Sequence, residues 1–238
     1  MTDPTKPTPP DLLLAFGAHP DDVEFGCGGI IAQESRAGRR VHLVVCSGGE
    51  AASHQGDRRE EAERGAQALG ASVSFVDLGG DAHVEATVAN ALRLAAVLRE
   101  HRPATVLAPT PVENQHPDHA RLGSLVRDAA RLARFGGIGE LTAPPHAIEQ
   151  LFYYAVTPGA ALAAMPVLVD VSAVVERWKL AMAAHASQVA TRGYVELALA
   201  QARVRGLEAG VAYAMALYPN DPLVVDSLQQ FTRSARRF

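Results

Sequence analysis

The stretch DLLLAFGAHPDDVEFGCGG, residues 11–29, decides the fold of this 238-residue chain. Residues 11–18 form a continuous apolar run of strand length, which is typical of a central parallel strand covered on both faces. A polar turn, HPDD at 19–22, follows directly. Residues 24–37 then have the spacing of a helix, and Gly38 supplies a stop. The stretch therefore predicts a strand, a polar turn and a helix.

The same alternation continues along the chain. Further strands are predicted at 41–47, 72–78 and 104–108, and further helices at 57–69, 85–100 and 117–134. Strands that alternate with helices indicate βαβ units, a parallel sheet and right-handed crossovers. After residue 134 the regular alternation of strands and helices ends. Strands are expected at 150–156 and 167–171, helices at 174–187 and 195–209, and an apolar closing segment at 211–217. We therefore expect a Rossmann-like, doubly wound, mostly parallel sheet with helices on both faces and a C-terminal α/β extension.

Composition limits the class of protein. Hydrophobic residues make up 48% of the chain and charged residues 20%, which is enough apolar material for one sizeable core. A net charge of -4 and only 5% aromatic residues argue against nucleic acid as a partner. Residues 1–10, with four prolines, predict a flexible leader, and residues 11–238 a single domain.

The expected environment is the cytoplasm. No apolar run is long enough to span a bilayer, so a membrane is not expected as a partner. The leader has no apolar core of a signal peptide. Two cysteines, Cys27 and Cys46, are too few for a disulfide framework, which favours a reducing compartment.

Polar clusters follow three of the predicted strands. The first strand is followed by residues 19–22, the second by Glu50 and Arg58, and the fourth by ENQHPDH at 113–119. In an open parallel sheet, ligands bind outside the carboxyl ends of the strands. We therefore expect all three clusters on one rim of the sheet.

Two of these clusters carry donor groups for a borderline metal. Two histidines and one carboxylate with an open position suit catalytic zinc, and equally a 2-His-1-carboxylate iron(II) site. His19 and Asp22 are three residues apart in a tight turn, so both side chains can converge on one point. A proline at the first helical position would put His116 at the cap and His119 in the first turn. Asp21 remains as a candidate general base acting on water.

Simpler interpretations apply to most of these residues taken singly. A lone histidine or aspartate after a strand is usually a turn former or a cap, but two His-Pro-Asp clusters on one rim argue against coincidence. The glycines at 26–29 hint at dinucleotide binding, yet Ile31 stands where the third glycine of the G-x-G-x-x-G pattern belongs. No dinucleotide cofactor is therefore expected, and Cys27 is interpreted as a small buried thiol.

Together these motifs resemble the PIG-L/LmbE family of zinc-dependent N-acetylglucosamine deacetylases. The resemblance rests on AHPDDVEFGCGG at 18–29, HPDH at 116–119, an R-x-x-E pair at 58–61 and HASQ at 185–188. It extends over roughly residues 12–228. Mycothiol-pathway and chitobiose deacetylases are relatives within the family.

The C-terminal part is most similar to the bacillithiol-biosynthesis branch, which deacetylates N-acetylglucosaminyl-malate. The similar features are Tyr153-Tyr154, residues 169–172, the Ser-Gln pair at 187–188, Arg205-Gly206 and residues 222–228. The chain departs from its relatives at Met215, where they often have a glutamate after Tyr-Ala or Tyr-Gly. That departure bears on any substrate or subunit contact that depends on the glutamate.

The resemblance implies a hydrolase that removes the acetyl group from an N-acetylglucosaminyl conjugate. It implies His19, Asp22 and His119 as ligands of Zn²⁺, with Fe²⁺ as a possible substitute, and Asp21 as the general base. A small N-acetylated amino sugar is the expected partner. Relatives of this branch form homo-oligomers, so a homo-oligomer is expected here too.

The remaining site residues have supporting roles in this interpretation. His116 is implied to stabilise the tetrahedral intermediate, and Asp118 to orient and charge it. Arg58 and Glu50 are candidate substrate-binding residues, with Arg58 expected to meet a hydroxyl or the carboxylate of an aglycone such as malate. The alternative for Arg58 is an ordinary exposed helix arginine.

Three other functions use the same residues. The chain could deacetylate another N-acyl sugar or an antibiotic intermediate at an identical metal site. It could be a sugar-binding protein without catalysis, although every predicted metal and base position is occupied. It could also be an iron(II) oxygenase with the same three ligands, although a parallel sheet is an unusual host for that chemistry.

Overall fold

A seven-stranded sheet organises the chain in the computed structural model, which describes residues 11–51, 55–112, 116–190, 192–230 and 233–235. Within these residues the strands are β1 (Leu12–Gly17), β2 (Arg40–Val45), β3 (Ser72–Phe75), β4 (Thr105–Pro109), β5 (Gln150–Tyr154), β6 (Val167–Asp170) and β7 (Ala214–Pro219). The helices are α1 (Asp22–Arg36), α2 (Gln55–Leu69), α3 (Val88–His101), α4 (Pro117–Leu132), α5 (Val175–Ala183), α6 (Ala186–Val189) and α7 (Tyr194–Ala209). The predicted leader, residues 1–10, lies outside the described residues.

The strand order is β3-β2-β1-β4-β5-β7-β6. Each neighbouring pair among β1 to β5 is parallel, whereas β7 runs antiparallel to both β5 and β6. The predicted α/β class, mostly parallel sheet and C-terminal extension are thereby confirmed. The apolar closing segment is the strand β7, which lies between β5 and β6 rather than at the edge of the sheet.

The sheet is covered on both faces because side chains of β1 alternate between two cores. All six residues of β1 are buried. Leu14 and Phe16 pack in one core, with α3 and α4, and Leu13 and Ala15 in the other, with α1 and α5. Burying a side chain of this size contributes about 1.5–3 kcal/mol relative to exposure, so the central strand is firmly held.

The helix predicted at 174–187 is interrupted. Helix α5 ends before His185, which is fully buried in a non-helical backbone conformation with its Nε2 atom 3.4 Å from Oε1 of Glu24 in α1. Helix α6 then starts afresh, and Glu61 of α2 accepts hydrogen bonds from both the backbone N–H and the hydroxyl of Ser187. Contacts with α1 and α2 thus override the helical pattern.

The glycines of α1 serve close packing. They lie inside the helix rather than in the strand–helix turn where a phosphate-binding loop would need them. A Cβ atom on Gly26 would run into the ring of Tyr154, and one on Gly28 would lie 2.8 Å from Cδ1 of Trp178. Cys27 between them is buried, as predicted. Met215 of β7 is also in the core, since a Cβ on Gly29 would lie 2.9 Å from its sulfur atom.

None of the described helices is both long and apolar enough to cross a membrane.

Replacing Gly26 tests this packing. Gly26→Ala forces a methyl group against the fully buried ring of Tyr154. Overpacking of this kind costs about 1–3 kcal/mol, against about 1 kcal/mol gained in helix propensity, so we expect a net loss of up to about 2 kcal/mol in unfolding free energy. Urea denaturation measures it. Gly137→Ala is the control, because a Cβ there meets nothing within 4 Å, and equal stability of the two variants would contradict the prediction.

Candidate metal and active site

The turn at the end of β1 is closed by the carboxylate of Asp22. Its Oδ2 atom accepts hydrogen bonds from the backbone N–H groups of Ala18 at 2.8 Å and His19 at 2.9 Å. Asp22 is also the first residue of α1 and is only 3% exposed. The same carboxylate therefore holds the backbone of the turn and faces the rim of the sheet.

The second half of the site starts at α4, which follows β4. Helix α4 begins at Pro117, and the Nδ1 atom of His116 accepts a hydrogen bond from the backbone N–H of Asp118, as the sequence predicted for a cap. His119 lies in the first turn of the helix. Residues 113–115, the other members of this predicted cluster, lie outside the described residues.

The three predicted metal ligands meet at one point. Nε2 of His119 lies 3.1 Å from Oδ1 of Asp22 and 3.3 Å from Nδ1 of His19, and Nδ1 of His19 lies 3.6 Å from Oδ2 of Asp22. Tetrahedral ligands bonded at 2.0–2.1 Å to one ion are separated by about 3.3–3.4 Å. The donor set therefore fits a zinc ion in spacing and in chemistry, and its two histidines and one carboxylate suit iron(II) as well.

The electrostatics of this group favour a cation. Burial works against a charged His19, but its hydrogen bonds with Asp118 and Asp22 outweigh burial and raise the pKa of the imidazole to about 12. Asp22 is buried too, yet the charge of His119 holds the pKa of this carboxyl well below its usual range. A cluster that keeps a proton this firmly has excess negative charge, which a divalent ion would neutralise.

Asp21 stands beside the donor set in a strained backbone conformation. Its φ angle is 122°, a region that costs a non-glycine residue about 1–3 kcal/mol and is found mostly at functional sites. Burial and the neighbouring charge of Asp22 raise its pKa to about 7, against the opposing effect of Arg58. Asp21 therefore has the proton affinity of a general base at neutral pH.

Arg58 is buried under the rim. It is only 3% exposed, so the alternative of an ordinary exposed helix arginine is wrong. Its guanidinium donates to the carbonyl oxygens of Gly49 at 2.9 Å and Pro20 at 2.7 Å, and one of its nitrogens lies 3.3 Å from Oδ2 of Asp21. These contacts favour a role in bracing Asp21 over the expected contact with substrate.

Glu50 faces the loop after β3. Its side chain is exposed, and its Oε1 atom accepts a hydrogen bond from the backbone N–H of Asp81 at 3.0 Å. It is not among the residues that line the cavity over the donor set. The predicted contact of Glu50 with substrate therefore stays a prediction, and its described contact supports the loop that carries Asp81.

His116 and Asp118 form a second group with His19. The ring of His116 lies edge-on to that of His19 with centroids 4.4 Å apart, and its side chain is 33% exposed. Oδ2 of Asp118 is closer to Nε2 of His19, at 3.4 Å, than to Nδ1 of His116, at 3.9 Å. Burial and the charge of His19 lower the pKa of His116, and Asp118 counters this only in part. Asp118 is expected to favour the protonated form of His116, but burial and the charge of His19 have the larger effect on its pKa.

Asp81 is a site residue that the sequence analysis missed. It is 5% exposed, and its Oδ1 atom lies 3.1 Å from Nε2 of His19 and 3.5 Å from Nε2 of His116. The rule that polar groups gather after strands was applied to the first, second and fourth strands. Applied to the third, it would have pointed to Gly79-Gly80-Asp81, which follows β3 on the same rim.

A cavity of about 410 Å³ opens over the donor set. This is within the usual size for a small-molecule site, about 300–1,000 Å³. The predicted metal ligands and Asp21 form its floor, and the far wall comes from the C-terminal part of the chain: Val156, Pro158, Gln188, Tyr194, Leu197 and Gln201. Among the described lining residues Arg58 is the one Arg or Lys, and it is paired with Asp21.

Comparison with known families identifies one match. Residues 14–130 match the PIG-L family model, described as GlcNAc-PI de-N-acetylase. This range contains the predicted metal ligands together with Asp21, Arg58, Asp81, His116 and Asp118.

Similar proteins agree with the match and differ in activity. Diacetylchitobiose deacetylase of Thermococcus kodakarensis is 30% identical over 74% of this chain and 69% of its own length. 4-Oxalmesaconate hydratase of Pseudomonas putida is 33% identical over 55% of each chain. The crystal structure of a conserved protein from Thermus thermophilus superposes with a TM-score of 0.82 at 30% identity, covering 91% of this chain and 97% of the other.

Removal of one donor tests the metal centre. We expect wild-type protein to bind about one equivalent of zinc. His119→Ala should bind zinc at least about 100-fold more weakly, because loss of a ligand should lower the affinity more than the roughly 10–100-fold typical for loss of a residue that only supports a ligand. Elemental analysis after dialysis and chelator competition measure both quantities. His146→Ala is the control, since His146 contacts Pro103 at the opposite end of β4. Equal zinc affinity in the two variants would contradict the assignment.

Proposed function

Because the chain belongs to the PIG-L family of de-N-acetylases, we propose that it hydrolyses the acetamide of an N-acetylglucosaminyl conjugate, with N-acetylglucosaminyl-malate as the first candidate. One observation carries the reaction: two histidines and an aspartate converge within metal-ligand spacing on the cavity that Asp21 also lines, and burial beside Asp22 raises the pKa of the Asp21 carboxyl to about 7. Nearly all of the groups that the hydrolysis needs are therefore at the floor of one cavity.

In this proposal His19, Asp22 and His119 hold Zn²⁺, with Fe²⁺ as the substitute. When bound, such an ion supplies Lewis acidity toward the acetyl oxygen and lowers the pKa of water. Asp21 removes a proton from the attacking water as its oxygen bonds to the acetyl carbon. The same carboxyl then gives that proton to the sugar nitrogen when the carbon–nitrogen bond breaks, leaving acetic acid and a free amine, which then share out the remaining proton as acetate and an ammonium group.

His116 is assigned to the oxygen on which negative charge develops. A ring N–H aimed at that oxygen stabilises the transition state strongly in a site from which water is excluded. Support for this role comes from its position at the rim, where the ring is partly exposed beside His19. The Asp118 side chain then acts by holding His19 and the loop after β3, since it is closer to the His19 ring than to the His116 ring and accepts from the N–H of Ala82.

The walls of the cavity support a sugar as substrate. Gln188, Gln201 and Tyr194 can exchange hydrogen bonds with hydroxyl groups, and the apolar side chains beside them suit the faces of a pyranose ring. A relative that is named for diacetylchitobiose favours the same class. The choice of the malate conjugate within this class rests on the sequence resemblance of the C-terminal part. The malate carboxylates would have to bind to groups outside the described walls of the cavity.

The hydratase relative favours a second candidate, addition of water to a carbon–carbon double bond of a polycarboxylate. The same base would serve, because water must lose a proton in either reaction. A polycarboxylate needs several unpaired cations, however, and the one Arg or Lys among the described lining residues is already paired with Asp21. The described cavity therefore favours the N-acetylated sugar over a polycarboxylate, and the carboxylates of the malate conjugate would likewise need cations outside the described walls.

The first test is release of primary amine by zinc-loaded protein from N-acetylglucosaminyl-malate, N-acetylglucosamine and diacetylchitobiose. Asp21→Asn should lower kcat by about 10²–10⁴-fold while zinc stays bound, because Asp21 is not a ligand. Asp77→Asn is the control, an exposed aspartate in the loop after β3. Near-full activity of Asp21→Asn would sink the assignment of the base. Absence of amine release with zinc bound, together with hydration of an unsaturated tricarboxylate, would favour the second candidate.

Arg58→Lys separates bracing from substrate binding. A lysine keeps the charge beside Asp21 but cannot span the carbonyl groups of Pro20 and Gly49 as the planar guanidinium does. If Arg58 braces the base, kcat should fall by a similar factor on N-acetylglucosamine and on the malate conjugate. A rise in KM confined to the conjugate would instead mean that Arg58 meets the malate carboxylates.

A further inference from the structure

The two ring nitrogens of His19 face different groups. Nδ1 lies among the other metal donors, 3.3 Å from Nε2 of His119 and 3.6 Å from Oδ2 of Asp22. Nε2 points away from them, 3.1 Å from Oδ1 of Asp81 and 3.4 Å from Oδ2 of Asp118. The nitrogen that can bind a metal is thus backed by two carboxylates on the far side of the ring.

This arrangement selects one tautomer. Nδ1 can offer a lone pair to a metal only if the proton of the neutral ring is on Nε2, and a carboxylate against Nε2 stabilises that proton. A histidine that binds a metal usually donates its other N–H to a carboxylate or carbonyl, which fixes the ring and strengthens the ligand. His19 therefore requires a defined acceptor for its Nε2–H.

The two carboxylates near Nε2 differ in the hydrogen bonds and ion pairs that they already make with other groups. Oδ2 of Asp118 accepts a hydrogen bond from the backbone N–H of Ala82 at 2.8 Å, and its other oxygen pairs with Arg121 at 3.3 Å. Oδ1 of Asp81 is buried and has no well-aligned hydrogen bond with any described donor. Nε2 is also hydrogen-bonded to Oδ2 of Asp118 at 3.4 Å, but that oxygen already accepts from Ala82. Oδ1 of Asp81 is closer, at 3.1 Å, and accepts from no other described donor, so it has the position and the free capacity to accept the proton.

The loop that carries Asp81 is held from two sides. Gly79, Gly80 and Ala82 have φ angles of 120°, 96° and 66°, a sequence of left-handed conformations that curls the chain tightly around Asp81. The carboxylate of Glu50 accepts from the N–H of Asp81, while Ala82 donates to Asp118. The other carboxylate oxygen of Asp81 accepts from the N–H of Ala51 at 3.2 Å. These contacts leave Oδ1 directed at the two histidines.

We propose that Asp81 is a positioning residue of the metal centre: it accepts the Nε2–H of His19, so that Nδ1 is presented to the ion. The inference rests on the metal site of the proposed function and deepens it. It also assigns a purpose to Glu50, whose carboxylate anchors the backbone of Asp81.

The test measures metal affinity rather than turnover, so that its outcome is independent of the substrate. Zinc dissociation constants are determined by chelator competition for wild-type protein, Asp81→Ala, Asp81→Asn and the control Asp77→Asn. We expect Asp81→Ala to weaken zinc binding by about 10–100-fold, as loss of such a supporting group usually does. Asp81→Asn retains a neutral acceptor oxygen and should lie between Asp81→Ala and wild type, and Asp77→Asn should match wild type.

The absorption spectrum of the cobalt(II)-loaded protein gives a second readout. A changed orientation of the His19 ring should alter the position and intensity of the visible bands in Asp81→Ala, which a merely structural role at a distance would not do. Circular dichroism identifies any variant that has not folded. If Asp81→Ala has not folded, Asp81→Asn is compared with wild type instead.

Two results would overturn the proposal. The first is a zinc affinity of Asp81→Ala within about twofold of wild type, a far smaller change than the loss of affinity that removal of a supporting group usually causes. The second is binding of two zinc ions by wild type and one by Asp81→Ala. Donor atoms of His19, Asp81, His116 and Asp118 lie within 4.8 Å of one another, so that result would make Asp81 a ligand of a second ion. Intact metal binding without any deacetylation would contradict the proposed function and leave the role of Asp81 standing.

Discussion

The carboxylate of Asp22 is the constraint on which the site depends. A buried carboxylate must be fully compensated, because an uncompensated charge in the interior is far too costly. Asp22 meets this requirement with two backbone N–H groups of its own turn on one side and the imidazole of His119 on the other. The end of β1 and the start of α4 are therefore joined through a single side chain.

The contacts of Asp22 strain the backbone of the residue before it, Asp21. With the turn closed so tightly, Asp21 adopts a positive φ angle, and its carboxyl group is held in a mostly buried position beside a second carboxylate. Arg58 relieves the crowding of charge and ties the strained segment to the loop after β2. Strain, burial and charge pairing thus all act on Asp21, which is why this carboxyl adjoins the candidate donor set without belonging to it.

What the sequence predicts correctly is local. The HPDD turn, the proline at the start of α4 and the strand–helix alternation each depend on neighbours within one or two turns of chain, so residue spacing suffices to find them. Asp81 and the burial of Arg58 depend on how separate loops fold over one another. The position of Asp81 after β3 predicts that it lies at the rim, but its contact with His19 depends on how the loop folds back, which residue spacing does not predict. The break between α5 and α6 has the same origin, since it follows from the burial of His185 against Glu24.

The floor and the far wall of the cavity come from different stretches of the chain. The donor set, Asp21 and Asp81 follow β1, β3 and β4 in the N-terminal half, whereas Gln188, Tyr194, Leu197 and Gln201 belong to the segment around α6 and α7. Substitutions in that segment can reshape what enters the cavity while the reacting groups keep their spacing. The shape of the entrance and the spacing of the groups on the floor are thus set by separate parts of the chain, which fits the finding that a diacetylchitobiose deacetylase and a 4-oxalmesaconate hydratase are both similar to it.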